Sequence, residues 1–178
     1  MKKFVAVFLC TLMAFLTTAC TPSPAKEGET LSQEQLKNKT EQYAQDFEST
    51  ANIKYNGLEI TATIQKKHSG ETIVSFSSPE TLKGLNFTVK EDDIKVNYMG
   101  MEFHIDPNNL NSSMMVSMMI GVFNNLANNQ GISAKIENNA ILITGDTNDM
   151  QFEMTLDKTN GNALSLNIPS MGLSAEFE

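Results

Sequence analysis

The sequence of 178 residues contains no arginine and no tryptophan, and its only two cysteines, Cys10 and Cys20, both lie near its start. All 13 basic residues are lysines, set against 21 acidic residues for a formal charge of −8. Arginine supplies the planar fork that grips phosphate or carboxylate through two hydrogen bonds, and that device is missing. An acidic, arginine-free body also lacks the clustered cations that a nucleic-acid backbone demands, so no nucleic-acid partner is expected. Nor would charge draw such a body to anionic lipid. Catalytic motifs are equally scarce. There is no HExxH, CxxC or GxSxG, and the ten glycines are dispersed rather than gathered into a phosphate loop. His68 falls in a Gly-containing turn and His104 on a strand, with no ligand spacing between them. Asp92-Asp93 and Asp146–Asp149 read as turns, because Asp and Asn favour local backbone hydrogen bonds there. No cofactor, metal or enzymatic activity is expected.

The first residues have a definite order. Met1-Lys2-Lys3 is basic, Phe4 to Leu16 is apolar apart from Thr11, and Thr17-Thr18-Ala19 are small. That order is the signature of a secretory signal peptide, and its apolar run is short for a bilayer span, which takes roughly 20 residues. Small residues directly before Cys20 resemble the lipobox of bacterial lipoproteins, with Thr17 where that motif usually has leucine. The resemblance implies cleavage after Ala19 and a thioether-linked diacylglycerol on Cys20, so that the chain is held to the cell membrane at its extracytoplasmic face. Thr21 to Thr30 carries Pro22 and Pro24 and no large apolar residue, and reads as a flexible tether. The expected organisation is therefore a signal peptide at 1–19, a lipidated cysteine and tether at 20–30, and one folded domain at 31–178.

Within that domain Leu31 to Phe47 reads as a helix capped by Thr30 or Ser32, with Leu36, Tyr43, Ala44 and Phe47 as its apolar stripe. Strands follow by their period of two: Leu58–Ile64, Thr72–Ser77, Leu85–Val89, Ile94–Tyr98 and Met101–Ile105, with Met99-Gly100 as a tight hairpin. Ser113 to Asn128 (SMMVSMMIGVFNNLAN) reads as a second helix. Strands then resume at Ile132–Glu137 and Ala140–Thr144 around an Asn138-Asn139 turn, and continue through Phe152–Leu156, Leu164–Ile168 and Leu173–Phe177. The order is helix, about six strands, helix, about five strands. Short connections favour antiparallel pairing. A sheet apolar on one face must hide it, so the expectation is an α+β fold: about 11 antiparallel strands strongly curved into a half-open barrel, with two helices over the apolar concave face.

This order, with the stretch ETIVSFSSPETLKGLNFTVKEDDIKVNYMGMEFHIDP and the hairpin MTLDKTNGNALSLNIP, resembles the lipoprotein-carrier half-barrel family of LolA, LolB and LppX type. The resemblance implies an apolar cavity lidded by helices, and a lipid or lipoprotein acyl chain as ligand. The candidate lining is Met114, Met115, Met118, Met119 and Phe123 on the second helix, with Phe87, Tyr98, Phe103, Phe152 and Leu166 on strands. Methionine suits a surface that repacks around varied apolar partners, and it equally suits a filled core. The alternative is thus a protein-interaction or regulatory lipoprotein on the same fold with a solid interior. In either case a monomer is expected.

Intact-mass analysis of the membrane fraction should find a chain that begins at Cys20 and carries diacylglycerol. Cys20→Ala should lose both the added mass and the membrane association. A mature chain with a free Cys20 thiol would contradict the anchor.

Overall fold

The computed structural model describes residues 28–90, 93–105 and 111–178, with the side chains of 111–113 left aside. The signal peptide, Cys20, most of the tether, the Glu91-Asp92 turn and Asp106-Pro107 lie outside the described residues. Helix α1 spans Gln33–Thr40 and passes into a 3-10 turn at Glu41–Ala44. Ser32 is its N-cap: the Ser32 hydroxyl accepts from the Gln35 N–H, and the Gln35 side chain accepts from the Ser32 N–H. That reciprocal box satisfies two donors that the first helical turn leaves open.

Eleven strands follow in two groups. They are β1 (Phe47–Tyr55), β2 (Leu58–Lys66), β3 (Thr72–Ser78), β4 (Asn86–Lys90), β5 (Asp93–Tyr98) and β6 (Met101–Ile105), then helix α2 (Asn111–Asn128), then β7 (Ile132–Glu137), β8 (Ala140–Thr147), β9 (Met150–Asp157), β10 (Ala163–Ile168) and β11 (Leu173–Phe177). All pair antiparallel in one sheet of order β6-β5-β4-β3-β2-β1-β11-β10-β9-β8-β7. Each group is a meander, and the two join through β1 and β11, from Ala51 opposite Phe177 to Tyr55 opposite Leu173. β6 and β7 do not pair with each other, so the curved sheet stays an unclosed half-barrel. The expected α+β half-open barrel is the observed fold.

Turn chemistry sets the registers. Asn138 and Asn139 both take positive φ (50° and 60°), as do Met99 (51°) and Gly100 (81°). Those are the two-residue turns whose twist matches a right-handed hairpin. The first helix ends earlier than its apolar spacing suggests, and the strand that the periodicity leaves unplaced is β1. Tyr43 and Phe47 keep a helical interval, yet they belong to different elements and meet edge to face at 5.3 Å across the junction of the 3-10 turn and β1. The alternation of β1 is hard to read because Ser49 and Ala51 occupy two of its inward positions.

Packing follows from the pattern. The inward residues of nearly every strand are buried, and α2 contributes Met115, Val116, Met118, Met119, Ile120, Val122, Phe123 and Leu126 to the same core. Phe123 anchors the helix in an aromatic cluster, with ring centroids 5.6 Å from Tyr43, 5.1 Å from Phe47 and 5.7 Å from Phe177. The Tyr43 hydroxyl donates to the Gly161 carbonyl at 2.8 Å, and burial pushes its phenol well above the usual range, so the ring stays neutral. Gly121 marks a close approach of α2 to the sheet. A Cβ placed there would overlap Thr147 Oγ1, whose residue is buried and whose rotamers are restricted by β-branching.

Gly121→Ala should therefore destabilise by about 1–3 kcal/mol through overpacking, measured by denaturant unfolding. Adding Thr147→Ala should recover part of that loss, because the hydroxyl is the main obstruction. A Gly121→Ala variant as stable as the parent would contradict this seating of the helix.

Candidate functional site

The concave face is built of rows that run across the strands. In one row Ile64 lies opposite Val74, Val74 opposite Phe87, Phe87 opposite Val96, and Val96 opposite Phe103. Fractional exposure along it runs 0 %, 1 %, 2 %, 6 % and then 44 % at Phe103. The apolar lining thus continues past the seal and ends in the open on β6. A neighbouring row, Thr72–Val89–Ile94–Ile105, ends half-covered at Ile105. Met99 and Met101 at the β5–β6 hairpin are exposed. Tyr98 is half-buried and donates to the Thr81 carbonyl at 3.4 Å, and Leu82 and Leu85 are partly buried against the core. Together these residues form an apolar surface at the β4–β6 end of the sheet.

The ten candidate lining residues divide among three places. Phe87, Tyr98 and Phe103 belong to the β4–β6 wall. Phe152 and Leu166 are buried on β9 and β10, at the other wing of the sheet. Met114 is half-buried near the start of α2, whereas Met115, Met118 and Met119 are sealed in the core and Phe123 sits in the aromatic cluster. Three cavities among the described residues lie elsewhere. A 690 Å³ groove on β7–β9 is walled by Ser133, Thr144, Gln151 and Glu153, with Phe152 also contributing. A 420 Å³ trough crosses the polar face of the central strands at Asn52, Thr61, Asn167 and Ser174, with Leu166 also contributing. A 270 Å³ pocket adjoins Tyr43, Phe47 and Phe123. None of these three is lined by a methionine of α2.

The two edges of the sheet differ. At β7 the chain's own segment Gly28–Leu31 runs alongside: Gly28 N–H donates to Ile136 O (2.7 Å), Ile136 N–H to Glu29 O (2.9 Å) and Leu31 N–H to Ala134 O (2.9 Å). Leu31 packs against the core there. At β6 no segment among the described residues pairs with the strand's outer side. The other face of that hairpin carries charge, with His104 Nδ1 2.9 Å from Asp93 Oδ1 and Lys95 Nζ 3.8 Å from Glu102 Oε1. Both pairs are exposed and contribute little to stability. Sequence periodicity identifies β6 as an alternating strand. It does not carry the fact that β6 is an edge, since MEFHI alternates much as NFTVK and DIKVNY do.

No family model matches the chain, and no curated protein matches it in sequence. Solved structures do resemble it. An uncharacterized conserved protein from Thermus thermophilus is 12% identical, with 83% of this chain and 87% of that one covered at a TM-score of 0.51. A LolA superfamily protein from Nitrosomonas europaea is 11% identical, with coverage of 78% and 71% and a TM-score of 0.40. A chain in the structure of the CwlD amidase from Clostridioides difficile in complex with the GerS lipoprotein is 11% identical, with coverage of 81% and 89% and a TM-score of 0.46. At such identities the likeness to the Thermus protein is one of fold alone.

Two phenylalanines of one row should behave differently on truncation. Phe87→Ala removes a sealed ring and should cost about 3–5 kcal/mol, whereas Phe103→Ala, at the open end, should cost about 1 kcal/mol or less. Equal losses in denaturant unfolding would mean that Phe103 is covered in solution.

Proposed function

We propose that this chain is a non-enzymatic binding protein of the cell envelope, held by diacylglycerol on Cys20 at the extracytoplasmic face of the membrane. It takes an apolar group, a lipid or lipoprotein acyl chain, against the open β4–β6 end of its concave face. The observation that carries this reading is the row from Ile64 to Phe103, which is apolar throughout and covered everywhere except at its end. Burial of a methylene contributes about 0.8 kcal/mol, so roughly six methylenes lodged on that row would contribute about 5 kcal/mol before ordering costs. The long helix α2 touches β4, and its methionines provide flexible side chains that can repack to deepen the site.

A second reading, an interaction module with a solid interior, is favoured by one observation: Met115, Met118 and Met119 are already sealed in the core. Titration of the delipidated, unanchored Cys20→Ala chain with a fluorescent fatty acid separates the two. Saturable uptake is expected, weakened about fivefold or more by Phe103→Asp as the loss of roughly one buried ring contact. Absence of uptake would overturn the acyl reading and leave the solid-core one.

A further inference from the structure

The backbone parity of β6 follows from its hairpin. In a two-residue turn the flanking residues exchange hydrogen bonds, so Tyr98 and Met101 are a bonded pair, and Met101, Phe103 and Ile105 direct their N–H and C=O groups to β5. The backbone groups of Glu102 and His104 therefore point away from the sheet. The same rule applied to β7 and its Asn138-Asn139 turn predicts that Ala134 and Ile136 point outward, and those residues are the ones that bond Gly28–Leu31. The two edges of the sheet thus offer the same kind of docking line, filled at β7 by an extended segment of this chain.

We propose that the β6 edge takes an extended peptide segment of a partner protein, added as an antiparallel strand whose backbone pairs with Glu102 and His104. This goes beyond the acyl reading and is independent of it, since it uses backbone groups at the edge rather than the apolar wall. The β7 edge shows what such an occupant needs: a short extended segment with an apolar residue, there Leu31, packed against the core. At β6 the occupant would set apolar residues beside Met101 and Phe103, extending the apolar row by one strand. On the other side it would set polar residues beside Glu102 and His104, with a basic one suited to the acidic body.

Two nearer candidates fit less well. The tether of this chain has Pro22 and Pro24, which lack the donors a strand needs, and no large apolar residue to alternate. A second copy could pair β6 with β6 only by running antiparallel. Gly28 lies beside Ile136, at the end of the half-barrel where the ladder also places Ile105 and the C-terminus, opposite the Met99–Gly100 turn. An antiparallel pair would place the two Gly28 residues at opposite ends, although with the Cys20 anchor proposed above both chains would have to reach one membrane.

The test uses the full chain in detergent and a labelled octapeptide of alternating valine and lysine. Fluorescence anisotropy should show saturable binding. N-methylation of the lysines, whose amides would face Glu102 and His104, should weaken it by about tenfold or more, the equivalent of one to two lost hydrogen bonds. N-methylation of the valines, whose amides would face solvent, should change it by no more than about threefold. Glu102→Pro removes an outward donor without breaking the β5 ladder, and it should match the lysine-methylated loss while fatty-acid uptake is retained. No binding, or equal binding by all three peptides, would overturn the proposal. So would a concentration-dependent dimer abolished by Glu102→Pro, which would assign the edge to a second copy.

Discussion

A sheet that is apolar on one face must keep water off that face along its whole length, and here a single long helix meets most of that demand. α2 follows one edge strand, β6, and leads into the other, β7, and its buried side is nearly continuous from Met115 to Leu126. Curvature lets one helix serve so many strands, because the wings rise on either side of it. As a consequence the barrel does not close: β6 and β7 stay apart and each needs its own solution to the unpaired edge. At β7 the solution is the segment Gly28–Leu31. At β6 the row of apolar residues ends at Phe103, in the open.

This asymmetry organises the rest. The β7–β11 wing, with Phe152, Met154, Leu166 and Ile168 fully buried, behaves as ordinary core. α1 and its 3-10 turn are fastened to the β9–β10 turn by the Tyr43 bond to Gly161 and by the bond from Lys39 Nζ to the Thr159 carbonyl. Asp157 is held below the usual carboxylate range there by backbone N–H groups of Asn160 and Thr159, which fixes the β9–β10 turn. Three exposed apolar residues, Met99, Met101 and Phe103, cluster on the opposite wing, whereas Leu58 on β2 and Leu164 on β10 are exposed singly. A protein anchored through Cys20 would thus keep its Gly28 end toward the bilayer and hold its β5–β6 turn farther out.

Much of the fold is legible in the residues. Alternation of apolar and polar residues over short segments marks the strands, the Asn138-Asn139 and Met99-Gly100 pairs mark two hairpins, and SMMVSMMIGVFNNLAN marks the long helix. β1 escapes because Ser49 and Ala51 dilute its inward face, and because Tyr43 and Phe47 keep helical spacing while belonging to different elements. The candidate lining is legible only as apolar. Periodicity says which face a residue occupies, not how far its strand lies from an edge, and that distance separates sealed Phe87 from exposed Phe103. The closure of β7 by Gly28–Leu31 is equally hidden, since it is a backbone contact that side-chain pattern does not encode.

Among the described residues the half-barrel has one sealed edge and one open edge, and amide hydrogen exchange followed residue by residue in the full chain reads both at once. The N–H groups of Leu31 and Ile136, bonded across the β7 edge, should be protected, while those of Glu102 and His104 should exchange at nearly the rate of an unstructured chain. Protection at Glu102 and His104 equal to that at Ile136 would show that β6 is already covered, and would contradict an open edge.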